Sequence, residues 1–144
     1  MNTNEAIYLG FTPVELWRLG VRTSARLDKP RVPPRPPGAQ IDIQTSVRNG
    51  VPWVRAGSGG VSTFDGMNPR LTGAYWWRIP AGSPIPEGLR ITKNHMDRIT
   101  GLTHYRIEPI HDFPLSHFVQ LLSVFAQNAK QAFALDNQEQ SVKT

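Results

Sequence analysis

The segment "THYRIEP", Thr103 to Pro109, combines a histidine and a glutamate in a stretch that alternates like a β-strand. Alternation places Tyr105 on one face and His104 and Glu108 on the other. With a rise of about 3.3 Å per residue, His104 and Glu108 lie about 13 Å apart, so they could flank one ligand without contacting each other. Alternate polar residues also describe an ordinary solvated strand face, and the segment alone leaves both interpretations open.

The sequence lacks the residue spacing of several well-known catalytic sites. No two of its histidines have the HExxH arrangement of helical zinc sites, so we predict no metal at His95, His104, His111 or His117. There is no G-x-S-x-G motif and no cysteine, so the common serine and thiol nucleophile patterns are absent from the sequence.

Two earlier segments add polar residues that could share a site. "ELWRLGV", Glu15 to Val21, predicts a strand that carries Arg18. In "GSGGVSTFDG", Gly57 to Gly66, glycines would let the backbone approach a ligand just before Ser62, Thr63 and Phe64. This second segment is either a phosphate or nucleotide contact or a plain turn into a strand.

The elements that would position these residues are short strands and one helix. Strands are predicted at Val51 to Ala56, from Ala74 through the aromatic run "AYWW", and at Leu89 to Lys93, and we expect the last two to pair. The aromatic run fits a packed core, or stacking on a base or ring. Apolar residues at three- and four-residue steps predict one helix from Asp112 to Leu135, covering one face of the sheet.

Composition indicates one soluble domain over residues 1–144, with an N-terminal extension (1–14), a proline-rich loop (29–40) and a polar tail (136–144). The proline-rich loop either wraps the surface rigidly or serves as an SH3-type ligand. The formal charge of +5 indicates an anionic partner, or only a basic surface that aids solubility. We expect neither a secretory signal nor a membrane partner, because the chain has no long apolar run.

Three segments together resemble a known family. "GGVSTFD" (Gly59 to Asp65), "IPAGSPIPEGL" (Ile79 to Leu89) and "THYRIEP" look like the matching motifs of the Tse-two-like toxins, antibacterial effectors of the type VI secretion system. "LWRLGV" is similar to the first strand of that family. The resemblance covers roughly Leu16 to Lys130 and is weakest across the proline-rich loop. Val61 departs from the family pattern, which has a second hydroxyl residue before the serine.

The resemblance implies an α+β fold of ADP-ribosyltransferase type: a small split antiparallel sheet that clasps NAD, with the long C-terminal helix on one face. Arg18 would then meet the NAD phosphates, Ser62 would orient a ribose or support the arginine, and His104 would sit in the cleft. Tyr105 would pack the nicotinamide or the core beneath it. The remaining implied cofactor contacts lie around Ser62, at Gly60, Val61, Thr63 and Phe64.

Glu108 lies where a transferase carboxylate could stabilise an oxocarbenium-like transition state, although a surface carboxylate at a strand end is the alternative.

The leading hypothesis is a cytosol-acting NAD-dependent ADP-ribosyltransferase or NAD glycohydrolase toxin, delivered into target bacteria and neutralised in the producer. Its expected partners are an acidic immunity protein, a component of the secretion machinery and an acceptor of unknown class. The alternative is a non-catalytic basic module that binds RNA or another anionic partner.

Overall fold

The computed structural model describes residues 6–68, 70 and 75–132. The described strands are β1 (Ala6–Tyr8), β2 (Leu16–Gly20), β3 (Thr45–Arg48), β4 (Val51–Val54), β5 (Val61–Phe64), β6 (Tyr75–Ile79), β7 (Leu89–Met96), β8 (Thr103–Pro109), β9 (Phe113–Pro114) and β10 (Lys130–Ala132). The helix α1 (Leu115–Ala126) lies between β9 and β10. The fold is therefore mostly strand.

The strands form two antiparallel sheets. The larger sheet has the order β1-β7-β8-β5-β2-β6-β10, and the smaller one has the order β3-β4-β9. Within the larger sheet, Phe64 is registered opposite both His104 on β8 and Trp17 on β2. The adjacent strands β2, β5 and β8 thus bring Arg18, Ser62 and His104 together from distant parts of the chain.

One face of the central strands forms the core. Val61 and Thr63 on β5 lie opposite Ile107 and Tyr105 on β8, and all four are buried. Helix α1 contributes Phe118, Leu122 and Phe125 to the same hydrophobic cluster. The strand alternation read from the sequence is therefore confirmed for Tyr105, which faces the core.

The predicted strands at Leu16, Val51, Tyr75 and Leu89 are confirmed, but one predicted pairing is wrong. β6 and β7 do not pair, because β8, β5 and β2 lie between them. Consecutive strands in a chain are often neighbours in a sheet, and this fold departs from that tendency.

The predicted helix from Asp112 to Leu135 is too long at both ends. Pro114 is in an extended conformation (φ −56°, ψ 143°) and pairs with Trp53 in the smaller sheet, so the helix begins at Leu115. After Ala126 the chain turns and pairs with β6 over Lys130–Ala132. The helix contacts β4 and β9 of the smaller sheet. Residues 133–135 lie outside the described ranges.

The three segments expected outside the main fold have different outcomes. Ala6–Tyr8, within the predicted extension, forms an edge strand against β7. The two ends of the proline-rich loop are joined by contacts between Arg31 and Asp42. The polar tail 136–144 lies outside the described residues. No helix in the described part of the chain is long and apolar enough to cross a membrane.

Candidate active site

A cleft with a volume of about 530 Å³ opens beside β2 and β5. It is lined by residues of β2, β5 and β6, of the segment between β2 and β3, of the segment after β5, and of the loop between β7 and β8: Arg18, Leu19, Arg26, Lys29, Arg31, Gln40, Ser62, Phe64, Asn68, Trp76, Asp97, Thr100 and Leu102. Four of these carry a positive charge and one carries a negative charge. The cleft therefore favours an anionic ligand.

Arg18 is largely withdrawn from water within the cleft wall. Its Nη1 donates to the carbonyl oxygen of Ser62 at 2.7 Å, and its Nη2 donates to that of Arg26 at 3.2 Å. Its Nε is buried and has no hydrogen-bond partner among the described residues. Burial lowers the pKa of the guanidinium; Asp42 partly opposes this effect, and Arg31 and Arg26 add to it. A ligand anion would relieve the cost of this desolvated positive charge.

The segment between β2 and β3, which contains the proline-rich loop, supplies the cationic rim of the cleft, which we define as Arg26, Lys29 and Arg31. Arg31 is anchored by the buried Asp42 carboxylate, which accepts from the Arg31 backbone N–H at 2.7 Å and from Nη2 at 2.9 Å. The side chains of Arg26 and Lys29 are exposed. The sequence analysis did not predict this rim, although the arginines and the lysine among the prolines of "RLDKPRVPPR" indicate a cationic segment.

Ser62 and His104 are joined by a hydrogen bond on adjacent strands. The His104 Nε2 and the Ser62 Oγ lie 2.9 Å apart, and the other ring nitrogen, Nδ1, lies 3.1 Å from the Asn94 Nδ2 on β7. Both nitrogens of the imidazole are thus engaged by protein side chains. Ser62 lines the cleft, whereas His104 reaches it through Ser62.

His104 is neutral at neutral pH. Burial, together with the neighbouring Arg106 and His95, lowers its pKa from 6.5 to about 4. The Phe64 ring packs beside the imidazole with a centroid separation of 5.3 Å. The imidazole is therefore a hydrogen-bonding group in a fixed place, and it carries no charge near pH 7.

The residues expected to contact the cofactor around Ser62 divide into two sets. Phe64 lines the cleft. Val61, Thr63 and Tyr105 lie instead in the buried core, where the Thr63 hydroxyl donates to the Tyr105 carbonyl at 3.1 Å. These three do not line the cleft, because β5 and β8 alternate and turn them to the opposite face from Ser62.

Gly60 has a packing role at the entry to β5. A Cβ placed there would lie 2.5 Å from the Ile107 carbonyl oxygen and 3.0 Å from the Glu108 Cβ. A side chain at this position would push β5 away from β8. Gly60 therefore supports the register that places Ser62, and it is not among the cleft-lining residues.

Glu108 is buried and paired, which corrects the expectation of a surface carboxylate. Its Oε1 accepts from the Arg90 Nε at 2.8 Å and from the Thr92 Oγ1 at 2.7 Å, and its Oε2 lies 3.8 Å from the Arg106 Nε. It does not line the cleft. Because Arg90 and Thr92 approach from β7, the pairing could not be read from the segment that contains Glu108.

The structure adds an acidic residue that sequence reasoning missed. Asp97, in the loop between β7 and β8, lines the cleft and accepts from the Ile99 backbone N–H through Oδ1 at 2.9 Å. Asn94 was likewise missed, since a polar residue late in a strand carries no distinctive signal. Within the described ranges, no group of three or more metal-ligating side chains comes together.

The fold and the site fit the class of ADP-ribosyltransferase-type domains. The fold is a mostly antiparallel sheet with one helix, and the basic cleft contains an arginine and a serine that is hydrogen-bonded to a histidine. Residues 14–133 match the model of the Tse2 ADP-ribosyltransferase toxin, and the chain belongs to this family. The resemblance read from the motifs is thereby confirmed. The comparison with curated proteins found no match.

Proposed function

We propose that this protein is a toxin that takes NAD as a substrate, breaks its nicotinamide–ribose bond, and transfers ADP-ribose to an acceptor or to water. The observation that carries the proposal is the meeting of Arg18 and Ser62 in a cationic cleft, in a chain that belongs to an ADP-ribosyltransferase toxin family. The charges of the cleft match a dinucleotide, whose pyrophosphate carries two negative charges.

In this proposal Arg18 and the cationic rim hold the pyrophosphate. Guanidinium groups suit this task because their planar fork forms paired, charge-assisted hydrogen bonds to phosphate oxygens. Asp42 keeps Arg31 in place, so part of the rim is positioned before the substrate arrives. Phe64 offers an aromatic surface in the same cleft.

The reaction requires one bond to break and one to form at the ribose C1′. The glycosidic bond breaks with its electron pair going to the nicotinamide nitrogen, which leaves as neutral nicotinamide. An acceptor nucleophile, or water, then bonds to C1′ and loses a proton. The protein contributes by orienting the ribose through the Ser62 hydroxyl.

We further propose that the sheet is split between β2 and β5, as in the ADP-ribosyltransferase type. The registered pairing of these two strands is Trp17 with Phe64. Beyond that pair, the Arg18 guanidinium reaches across to the Ser62 carbonyl at 2.7 Å. The separation of the strands at this point would leave room for the substrate beside Arg18.

The biological role we propose is antibacterial action in the cytosol of target cells, after delivery by type VI secretion. This role is supported by the toxin family alone. Expression in a bacterial cytosol should slow or stop growth. Vigorous growth at verified high expression would contradict it.

The enzymatic proposal is tested by incubating the purified protein with NAD and measuring nicotinamide release chromatographically. Arg26→Ala and Lys29→Ala should each raise KM several-fold with little change in kcat, because they remove binding shared by ground state and transition state. Arg55→Ala, an exposed arginine that does not line the cleft, is the matched control. It should leave both constants unchanged.

The same experiment separates the enzyme from a non-catalytic binding module. A module would bind NAD, RNA or another anion with steep salt dependence but would release no nicotinamide. Absence of nicotinamide release, under conditions where binding is measured and the fold is intact, would overturn the enzymatic proposal.

A further inference from the structure

We propose that Asn94 is a positioning residue that holds His104 in the Nε2–H tautomer, and thereby makes the Ser62 hydroxyl a hydrogen-bond donor into the cleft. The claim about Asn94 and His104 stands on geometry. The claim that the donated hydrogen bond serves the reaction rests on the proposed function.

The first step is the contact between Asn94 and His104. The Asn94 Nδ2 is an amide nitrogen, which donates and does not accept, and it lies 3.1 Å from the His104 Nδ1. Nδ1 must therefore present its lone pair. A neutral imidazole carries one proton, so that proton resides on Nε2.

The second step concerns Ser62. With its proton on Nε2, His104 donates to the Ser62 Oγ at 2.9 Å. A hydroxyl that accepts this bond keeps its own hydrogen for another acceptor. Since Ser62 lines the cleft, that acceptor is a ligand oxygen, such as a ribose hydroxyl or a carbonyl oxygen.

The surroundings of His104 hold the ring in its neutral form. Arg106 on β8 and His95 on β7 are the charged or titratable groups that disfavour a second proton, and burial acts in the same direction. The His95 ring lies 6.1 Å from the His104 ring. A doubly protonated ring would also place an N–H against the Asn94 amide N–H groups, which is repulsive.

This arrangement assigns a specific role to the pair. His104 cannot take the Ser62 proton while Nε2 already carries one, so Ser62 is not activated as a nucleophile. Ser62 instead recognises an oxygen that accepts a hydrogen bond. The site thereby distinguishes ligands that carry such an oxygen from analogues that lack it.

The direct test is the ¹⁵N spectrum of the imidazole in histidine-labelled protein made by cell-free synthesis. Near neutral pH, His104 should show a protonated Nε2 and an unprotonated Nδ1. In Asn94→Asp the carboxylate can only accept, so the proton should move to Nδ1 and the pKa of His104 should rise toward its ordinary value. In Asn94→Leu the two tautomers should mix.

Activity supplies the second measurement. With Nδ1 protonated, Ser62 would donate to Nε2 and lose its hydrogen bond to the ligand. We expect kcat/KM for NAD in Asn94→Asp to fall on the order of tenfold to a hundredfold, as is found when a group that orients another is lost. Its pH profile should gain an inflection nearer neutrality, which a purely structural defect would not produce. Asn49→Asp, the same change in an exposed turn, is the control.

The outcomes are separable. A wild-type His104 protonated on Nδ1 overturns the inference, and so does an Nε2–H tautomer that persists in both Asn94 variants. The expected tautomers would support the inference about Asn94 even if the wild-type protein released no nicotinamide. The missing nicotinamide release would then count against the proposed function.

Discussion

At the residue scale, the Ser62 hydroxyl lies between the cleft and the His104 imidazole. That Arg18, Ser62 and His104 come together could be predicted from the family motifs that contain them, and their roles remain predictions. The positions of Asn94 beside His104 and of Asp97 in the cleft could not be predicted, because neither residue stands in a motif and both are placed by the register of β7 and the loop after it. A role for His104 remains a prediction, and the geometry now routes that role through Ser62.

Ser62→Ala should lower NAD turnover by about a hundredfold, the scale of losing one preorganised hydrogen-bond donor. The fold should survive, because Arg18 bonds to the Ser62 backbone carbonyl, which alanine retains. We expect unfolding free energy to change by about 1 kcal/mol or less. Nicotinamide release measures the turnover and thermal melting measures the stability, with Ser46→Ala on β3 as the control for both. Unchanged turnover in Ser62→Ala would remove Ser62 from the mechanism.

The pKa of His104 predicts an acid-sensitive fold. The ring titrates at about 4 when folded and near 6.5 when unfolded, so the unfolded chain binds more protons between these values. Stability should therefore be highest above pH 6.5 and should fall as the pH drops toward 4. Urea unfolding across this window should show a shallower decline for His104→Gln, which has no such proton to bind. Parallel declines in the two proteins would show that the loss arises elsewhere.

At the element scale, the strands were predictable and the extent of the helix was not. The strand predicted in "ELWRLGV" is confirmed over Leu16–Gly20, although Leu16 is its one fully buried residue. The apolar period of α1 continues past Ala126, but Lys130–Ala132 pairs with β6 and the sheet prevails over the helical pattern. The pairing of Glu108 with Arg90 is equally invisible locally, because it depends on a cross-strand register.

The proline-rich loop should depend on Asp42 for its position. Asp42→Ala would remove the carboxylate that holds the Arg31 side chain and loosen the loop. Because the Arg31 side chain is partly exposed, we expect a loss of about 2 kcal/mol in unfolding free energy, the scale of a hydrogen bond to a charged group. KM for NAD should rise as well, since the rim is displaced. Denaturant unfolding and NAD kinetics provide the measurements.

Glu15→Ala is the matched control for Asp42→Ala. It removes the carboxylate of an ion pair with Arg78 in which both side chains are more than a third exposed. Such pairs contribute about 1 kcal/mol or less. Equal losses in the two variants would contradict an anchoring role for Asp42.

At the scale of the whole molecule, net charge is the dominant property. The formal charge of +5 and the basic cleft create a field that attracts anionic partners. The net positive charge can be predicted from composition. The clustering of positive side chains around the cleft cannot, because it depends on the conformation of the proline-rich loop. The proposed immunity protein should therefore be acidic.

Binding of that partner should be salt-sensitive in its association rate. Added salt screens the attraction that steers two oppositely charged proteins together, while the dissociation rate changes less. Stopped-flow or surface-based kinetics at low and high salt would measure both rates. An association rate that does not change with salt, or a product of the neighbouring gene that neither binds nor relieves toxicity, would argue against the partner we propose.

The strand order also sets when the cleft can exist during translation. β2 emerges early, but its sheet neighbours β5 and β6 follow much later, and β8, which carries His104, is made later still. In a nascent chain that ends before β8, one edge of β5 would be unpaired and Ser62 would lack its hydrogen bond to the His104 imidazole. Only chains that have been made past Pro109 can assemble the site. Under the proposed toxic function, a cell that makes this protein would need protection from the moment β8 has been made and has paired with β5.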